Sequence, residues 1–249
     1  EALPQVEKPT LVLPEGWSIT KEEADGNGLR FTVSVPKDAK PPADPNAWMY
    51  PWPAPLVKAR VRATLEGYTF ETDAPVNAMR ATSTSVETLP LRLVPAVTMS
   101  LEPRQFILPV GQPAKPMELL ARVHSYAAGT VKVTAGLDVP AGWRVEAPAP
   151  LEFAGPGDQL ARFVVKPPAK LAMGKYELNA WASVNGEKFR TSLEPLPTLP
   201  TELWSEPTHA TVRAFELAVP KGLRVGYVAA ENDPIPESLR QVGVEVELL

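Results

Sequence analysis

Thirty prolines are scattered through the 249 residues of this chain, and they limit what it can fold into. Proline lacks the backbone N–H and clashes with the preceding helical turn, so frequent prolines interrupt helices, whereas strand edges and turns accept them. Between the prolines, runs such as residues 29–35 alternate apolar and polar side chains, as half-buried strands do. With 44% hydrophobic residues, the composition predicts a folded, mainly β chain rather than a disordered one.

A five-residue phrase occurs twice, as Leu13-Pro14-Glu15-Gly16-Trp17 and as Val139-Pro140-Ala141-Gly142-Trp143. Each copy is followed by a strand-like run, a proline-rich bend and a hairpin, whose turns we place at Glu66-Gly67 and Asn185-Gly186. Asn-Gly suits a type I′ turn because both central residues adopt positive φ at little cost. Short strands separated by frequent turns predict two immunoglobulin-like β-sandwich modules, each with its tryptophan in a structural role.

The two copies differ ahead of their tryptophans. The second has a long strand-patterned stretch, residues 98–138, whereas the first has only residues 1–12. A sandwich without its front strands exposes a sheet edge, so we expect the first copy to be the less stable. We also expect the chain to be a piece of a larger protein. The predicted domains are a sandwich lacking its front strands (1–97), a sandwich (98–195), a linker and connecting strand (196–219), and the start of an α/β domain (220–249).

The last residues change character. Residues 223–229 form a continuous apolar run, which fits a parallel strand buried on both faces. Asp233 is the predicted N-cap of a helix, with Pro234 at its first position. Apolar residues then recur with helical spacing at Ile235, Leu239 and Val242. Residues 244–249 form a second strand, so the segment reads as a truncated β-α-β unit that opens an α/β domain.

Charge and residue types exclude several function classes. The net charge of −4 gives no basic surface for nucleic acid, and no apolar run reaches the length of a membrane span. Cysteine is absent, which removes disulfides, thiolate metal sites and cysteine nucleophiles. His124 and His209 are too few for a zinc site, and no Gly-x-Ser-x-Gly elbow occurs. We therefore predict no catalytic residue and no metal ligand in this chain.

Two sets of motifs resemble known families. The first set resembles the immunoglobulin-like module attached to bacterial glycosidases and other sugar-acting hydrolases: Pro140-Ala141-Gly142-Trp143, Pro156-Gly157-Asp158, Val165-Lys166-Pro167-Pro168 and Gly174-Lys175-Tyr176. The second set, residues 219–228, 236–243 and Leu248-Leu249, resembles the C-terminal region of bacterial PIG-L/LmbE-type deacetylases. In those proteins two such modules precede a segment of this kind.

The resemblance implies a parent protein that is a zinc-dependent deacetylase of N-acetylated sugars. The zinc motif of the family, His-Pro-Asp-Asp, does not occur in this chain, so no catalytic residue is carried over. Zinc is expected in the parent catalytic domain and no cofactor in this segment. The implied role is a non-catalytic accessory or scaffold segment, with the parent catalytic domain as its partner in cis. The implied location is extracellular, periplasmic or at the cell surface.

Other readings remain open. Trp48, Tyr50 and Trp52 alternate in a proline-stiffened loop, and rigidly held rings can stack on sugars or pack against the sandwich. The first use predicts a carbohydrate-binding module with glycan partners. A cell-surface adhesion or assembly module is a further alternative. The helix start at Asn232-Asp233-Pro234 offers backbone N–H groups to an anion or is simply a cap.

Overall fold

The computed structural model describes residues 5–26, 28–40, 54–111, 115–196, 198–230 and 233–249. For residues 199–201 it describes the backbone alone. The chain divides into two compact units, Glu1–Val94 and Pro95–Leu249. The described residues form 22 strands and one short helix. The mainly β fold predicted from the sequence is therefore confirmed.

The first unit contains eight strands among its described residues: β1 (Gln5–Val6), β2 (Thr10–Val12), β3 (Ser18–Asp25), β4 (Gly28–Ser34), β5 (Lys58–Leu65), β6 (Tyr68–Pro75), β7 (Asn77–Ala81) and β8 (Val86–Pro90). β5 pairs with β1 and β2 along one side and with β6 along the other. β3 and β4 form a separate hairpin, as do β7 and β8. The hydrophobic side chains that are buried among these described residues are Val57 and Ala63.

The second unit opens with twelve strands: β9 (Val97–Glu102), β10 (Gln105–Val110), β11 (Met117–Ser125), β12 (Val131–Asp138), β13 (Arg144–Glu146), β14 (Leu151–Phe153), β15 (Gly157–Lys166), β16 (Gly174–Val184), β17 (Glu187–Phe189), β18 (Thr191–Leu196), β19 (Leu199–Pro207) and β20 (His209–Glu216). One sheet has the order β13-β15-β11-β9, and the other has the order β10-β20-β16-β12-β14. All pairs are antiparallel except β10 with β20. This strand order is an immunoglobulin-like sandwich.

A single apolar core joins the two sheets of this sandwich. β11 alternates buried and exposed residues along its length, and its partner β15 contributes Phe163 and Val165, both fully buried. The facing sheet contributes Leu178 from β16 and Val212 from β20 to the same cluster. Because full burial of such side chains stabilises a fold by about 1.5–3 kcal/mol each, this core holds the second unit together.

Both predicted hairpin turns are present. Glu66 and Gly67 have φ values of 49° and 85°, and Asn185 and Gly186 have φ values of 51° and 84°. Positive φ at both central residues defines the type I′ turn, whose twist matches that of the paired strands. The Asn-Gly signal thus predicted the right turn type, and Glu-Gly adopts it as well.

Of the linker and connecting strand expected over residues 196–219, the strand is present as β20, whereas residues 199–207, expected as linker, form β19. β19 pairs with β18, and β20 lies between β10 and β16 inside the sandwich sheet. The prolines that favoured a linker are tolerated because β18 and β19 form a two-stranded sheet, and Pro195 adjoins an irregularity in its register. Strand structure therefore continues beyond residue 195, and the sandwich is completed by β20.

The β-α-β unit predicted for the last residues is confirmed. β21 (Arg224–Tyr227) and β22 (Glu245–Leu248) pair in parallel, and α1 (Ile235–Gln241) connects them. The helix begins one residue later than expected, although Asp233 Oδ1 still accepts a hydrogen bond of 3.0 Å from the N–H of Ile235. β21 alternates exposed and half-buried residues within the described part of the chain.

Candidate functional site

The aromatic loop predicted as a sugar-binding site lies outside the described residues. Trp48, Tyr50 and Trp52 all fall within residues 41–53. Their role in carbohydrate binding stays a prediction.

The two histidines have separate partners. His124 on β11 places Nδ1 3.0 Å from Asp158 Oδ1, and its ring lies against Tyr126. His209 on β20 donates from Nδ1 to the carbonyl oxygen of Pro207 at 3.0 Å. The two strands belong to different sheets of the sandwich. In the described ranges, no group of three or more His, Cys, Asp or Glu residues could hold a metal ion.

Trp143 links two of the sequence motifs in the core. It is 7% exposed, and its ring centroid lies 5.4 Å from that of Tyr176 at an interplanar angle of 49°. Its backbone N–H donates to the carbonyl of Pro140 across the Pro-x-Gly-Trp turn. Trp17 makes the same turn contact with Pro14 but is only half-buried. The second tryptophan therefore has the predicted structural role, whereas the first is less enclosed.

Trp181 is a second ordered indole, on the outer face of the sandwich. Its Nε1–H donates to Asp138 Oδ1 at 2.9 Å, and Lys188 Nζ lies 3.9 Å from the ring centroid. Gly136 lies directly opposite on β12, close beneath the ring. Trp181 is half-buried, and its ring is in contact with both Lys188 and the backbone of β12.

Asp138 is the charged centre of this cluster. Burial raises the pKa of its carboxyl, but hydrogen bonds from Arg190 and Trp181 outweigh that effect and leave the pKa below its usual range. Arg190 Nη2 lies 2.8 Å from Asp138 Oδ2. The carboxylate is thus held ionised to fix the indole.

A polar cavity of about 180 Å³ lies where β9, β10, β19 and β20 meet. Arg104 there pairs through one guanidinium nitrogen with Glu194 and through another with Glu206. Ser192 Oγ donates to Glu194 Oε1 at 3.3 Å. The one guanidinium thus ties the two strands that carry these glutamates, β18 and β19, to the connection between β9 and β10.

Trp204 extends this cluster to the surface. Its side chain is 58% exposed, and its Nε1–H donates to Glu206 Oε2 at 3.3 Å. An exposed indole beside carboxylates is the arrangement in this unit that best suits the apolar face and the hydroxyls of a sugar. The sequence did not predict this cluster because its members are distant along the chain. The alternation of Glu202, Trp204 and Glu206 was the local signal of a strand with one polar and aromatic face.

The start of α1 is already occupied by a carboxylate. Tyr227 Oη donates to Asp233 Oδ2 at 2.7 Å, and this bond raises the pKa of Tyr227 and lowers that of Asp233. A negative charge at this place opposes an anionic ligand. Anion binding at this place is therefore disfavoured, and Asp233 lies one residue before the N-cap of the helix, Pro234.

The helix α1 packs against the sandwich. The backbone N–H of Ile107 on β10 donates to Gln241 Oε1 at 2.9 Å, and Pro236 and Val244 are buried. A groove of about 910 Å³ runs beside this contact, between α1 and the starts of β10 and β11. Over the residues that the structure describes, α1 is too short and polar to cross a bilayer, and no other helix is present.

No family model matches the sequence, and no curated protein matches it. Among solved structures, PapD-like domain 7 of human CEP192, an ASH / PapD-like domain, has a TM-score of 0.30 at 13% identity and covers 56% of this chain and 100% of its own. Escherichia coli alpha-2-macroglobulin activated by porcine elastase has a TM-score of 0.32 at 14% identity, and the match covers 64% of this chain and 12% of that one. The cupredoxin domain of amoB from Nitrosocaldus yellowstonii has a TM-score of 0.29 at 8% identity, and the match covers 50% of this chain and 89% of that domain. The sandwich assignment rests on the strand order of this chain itself.

Proposed function

We propose that this chain is a non-catalytic scaffold segment of a secreted, PIG-L-like zinc-dependent deacetylase of N-acetylated sugars. In the sequence, the repeated Pro-x-Gly-Trp turn and the resemblance at residues 219–228 and 236–243 support this proposal. The catalytic domain and its zinc belong to the rest of the parent protein. The partner of this segment is that domain, in cis.

The attachment of the β-α-β unit to the sandwich is the observation that carries the scaffold role. Gln241 Oε1 accepts a hydrogen bond from the N–H of Ile107 on the edge strand β10, and Pro236 in α1 and Val244 just before β22 are buried. A sandwich that is bound to the following α/β element fixes the orientation of that element. It thereby orients any domain that packs against the element. A rigid spacer of this kind supports a sugar-acting domain without sharing its chemistry.

Two experiments test this proposal. The purified chain, incubated with chitin oligomers and zinc, is expected to release no acetate above the buffer rate. Release that a chelator abolishes would show that the chain is itself the deacetylase. The coding sequence on both sides of the chain is expected to contain a His-Pro-Asp-Asp motif. A flanking sequence that lacks the motif would refute the PIG-L parent.

Sugar binding is the second candidate, and the exposed Trp204 beside Glu206 favours it. Stacking on a sugar changes indole fluorescence, so titration with chitin oligomers should alter the emission of the full chain. The change should disappear in Trp204→Ala and persist in the same substitution at Trp181, whose ring is half-buried against Gly136 and Lys188. A spectrum unchanged at millimolar sugar removes this candidate.

A further inference from the structure

Two strand pairs of this chain correspond at the residue pairs where they begin. β3 follows one Pro-x-Gly-Trp turn and pairs with β4, with Ser18 opposite Ser34. β13 follows the other turn and pairs with β15, with Arg144 opposite Lys166. Superposing these pairings sets three identical residues of β4 against three of β15: Arg30, Phe31 and Val33 against Arg162, Phe163 and Val165.

The two strands differ in what lies along their other edge. β15 pairs there with β11, antiparallel, from Met117 opposite Val165 to Ser125 opposite Gly157. Within the described part of the chain, β4 pairs with β3 alone. The second unit therefore shows which kind of strand completes the edge that β4 presents.

The matched side chains are more buried on β15, which has a neighbour on both edges, than on β4. Phe163 and Val165 are both 0% exposed, whereas Phe31 and Val33 are half-buried. β3, the paired neighbour of β4, is exposed at every residue. Since the matched residues are identical, the difference comes from the strands that pack around them.

The outer face adds a charge requirement. Arg162 is held by Glu118, which β11 supplies, with Nε 3.0 Å from Oε2. Arg30 at the matching place binds Asp25 of its own hairpin at 2.6 Å, and both side chains are more than half exposed. A second β4 laid along the first would bring another arginine to this face, whereas a strand like β11 brings an acid.

We propose that the open edge of β4 accepts a β-strand from a partner polypeptide, antiparallel and in the register that β11 takes on β15. The incoming strand places alternate apolar residues beside Phe31 and Val33 and an acidic residue beside Arg30. Backbone hydrogen bonds along the edge supply affinity, and the alternating side chains supply specificity. This binding surface is independent of the deacetylase scaffold role.

A peptide with the nine-residue sequence of β11 is the probe, added to the full chain and followed by fluorescence anisotropy. We expect saturable binding and slower hydrogen exchange at Gly28–Ser34. Two control peptides carry N-methyl groups, on the odd residues in one and on the even residues in the other. Strand addition uses the N–H groups of one peptide edge, so only one control should lose binding.

Charge reversal checks the register. Arg30→Glu should weaken the peptide about two- to fivefold, as expected for an exposed ion pair, and a peptide carrying Glu118→Lys should recover the loss. Because Arg30 also pairs with Asp25 of its own hairpin, the far-UV circular dichroism of the variant is compared with that of the wild-type chain to show that the fold is kept. Absent binding, equal binding of both methylated controls, or protection outside β4 would overturn the proposal. Concentration-dependent self-association that protects β4 and resists the peptide would overturn it in favour of a second copy of the chain.

Discussion

Trp181 depends on the residue opposite it in the sheet. Gly136 pairs with Trp181 between β12 and β16, and a Cβ added to that glycine would lie 2.2 Å from Cζ2 of the indole. No heavy atom tolerates such an approach, so the glycine is required by contact rather than by its backbone angles. The indole in turn holds Asp138 and Lys188 in place on the outer face.

Gly136→Ala should therefore destabilise the second unit by about 1–3 kcal/mol, the usual cost of forcing extra volume into a packed place. The measurement is the urea unfolding transition of that unit. Gly129→Ala is the matched control, because a Cβ there meets nothing within 4 Å. Equal losses in both variants would show that the contact with Trp181 is not the cause.

Asp138→Asn isolates the charge in the same cluster, since the asparagine carbonyl still accepts the indole N–H. The pKa of Asp138 is lowered in the folded protein, so its stabilising charge is fully present above the ordinary aspartate pKa of about 4. That contribution is lost as pH falls through the lower folded value.

We expect the wild-type chain to be more stable than the variant at pH 7 and the difference to shrink toward pH 3. The measurement is the free energy of unfolding of the second unit across this range. In an Arg190→Gln background the pH-dependent part should be smaller, because the main favourable bond to Asp138 is gone. A difference that is constant with pH would contradict this assignment.

At the scale of single elements, one turn recurs three times. Pro14 and Pro140 each accept the N–H of a tryptophan, and Pro220 accepts the N–H of Leu223 in the same way. The third glycine, Gly222, has a φ of 70°, in the range that this turn requires. The Pro-x-Gly turn therefore precedes β3, β13 and β21 alike, and the first two instances were the strongest repeat in the sequence.

The sequence predicted correctly those elements whose conformation depends on residues close together in the chain. The Asn185-Gly186 turn follows from the φ values it demands, and α1 follows from its apolar spacing. β19 was missed because its prolines, Pro200 and Pro207, outweighed the alternation of its other residues. The Arg104 cluster and the parallel pairing of β10 with β20 join distant segments, and no spacing within one segment reveals them.

Gln241→Leu should loosen the β-α-β unit from the sandwich. The substitution leaves the N–H of Ile107 without its acceptor in a half-buried place, which costs about 1–3 kcal/mol. We expect faster hydrogen exchange over residues 223–249 and unchanged exchange in β11 and β15.

Gln159→Leu is the control, because it removes a side-chain bond to the carbonyl of Glu152 at an exposed place. It should leave residues 223–249 as slow to exchange as in the wild-type chain. If both variants behaved alike, the contact with Gln241 would not hold the unit, and the scaffold proposal would lose its main structural support.

At the scale of the whole molecule, the two units are unequal. Among the described residues, the apolar core of the second unit contains 22 buried residues, whereas the buried hydrophobic residues of the first unit are Val57 and Ala63. Ion pairs such as Arg60 with Asp73 join β5 and β6, but they are exposed to water, which screens them. The described part of the first unit therefore depends on strand pairing more than on a core, which fits a module that gains a strand from a partner.

Native-state hydrogen exchange of the full chain tests this inequality most directly, because β4 and β15 share their sequence pattern and differ in their neighbours. We predict that the amides of Gly28–Ser34 exchange much faster than those of Gly157–Lys166. Equal protection of the two strands would contradict the claim that the first unit presents an open edge.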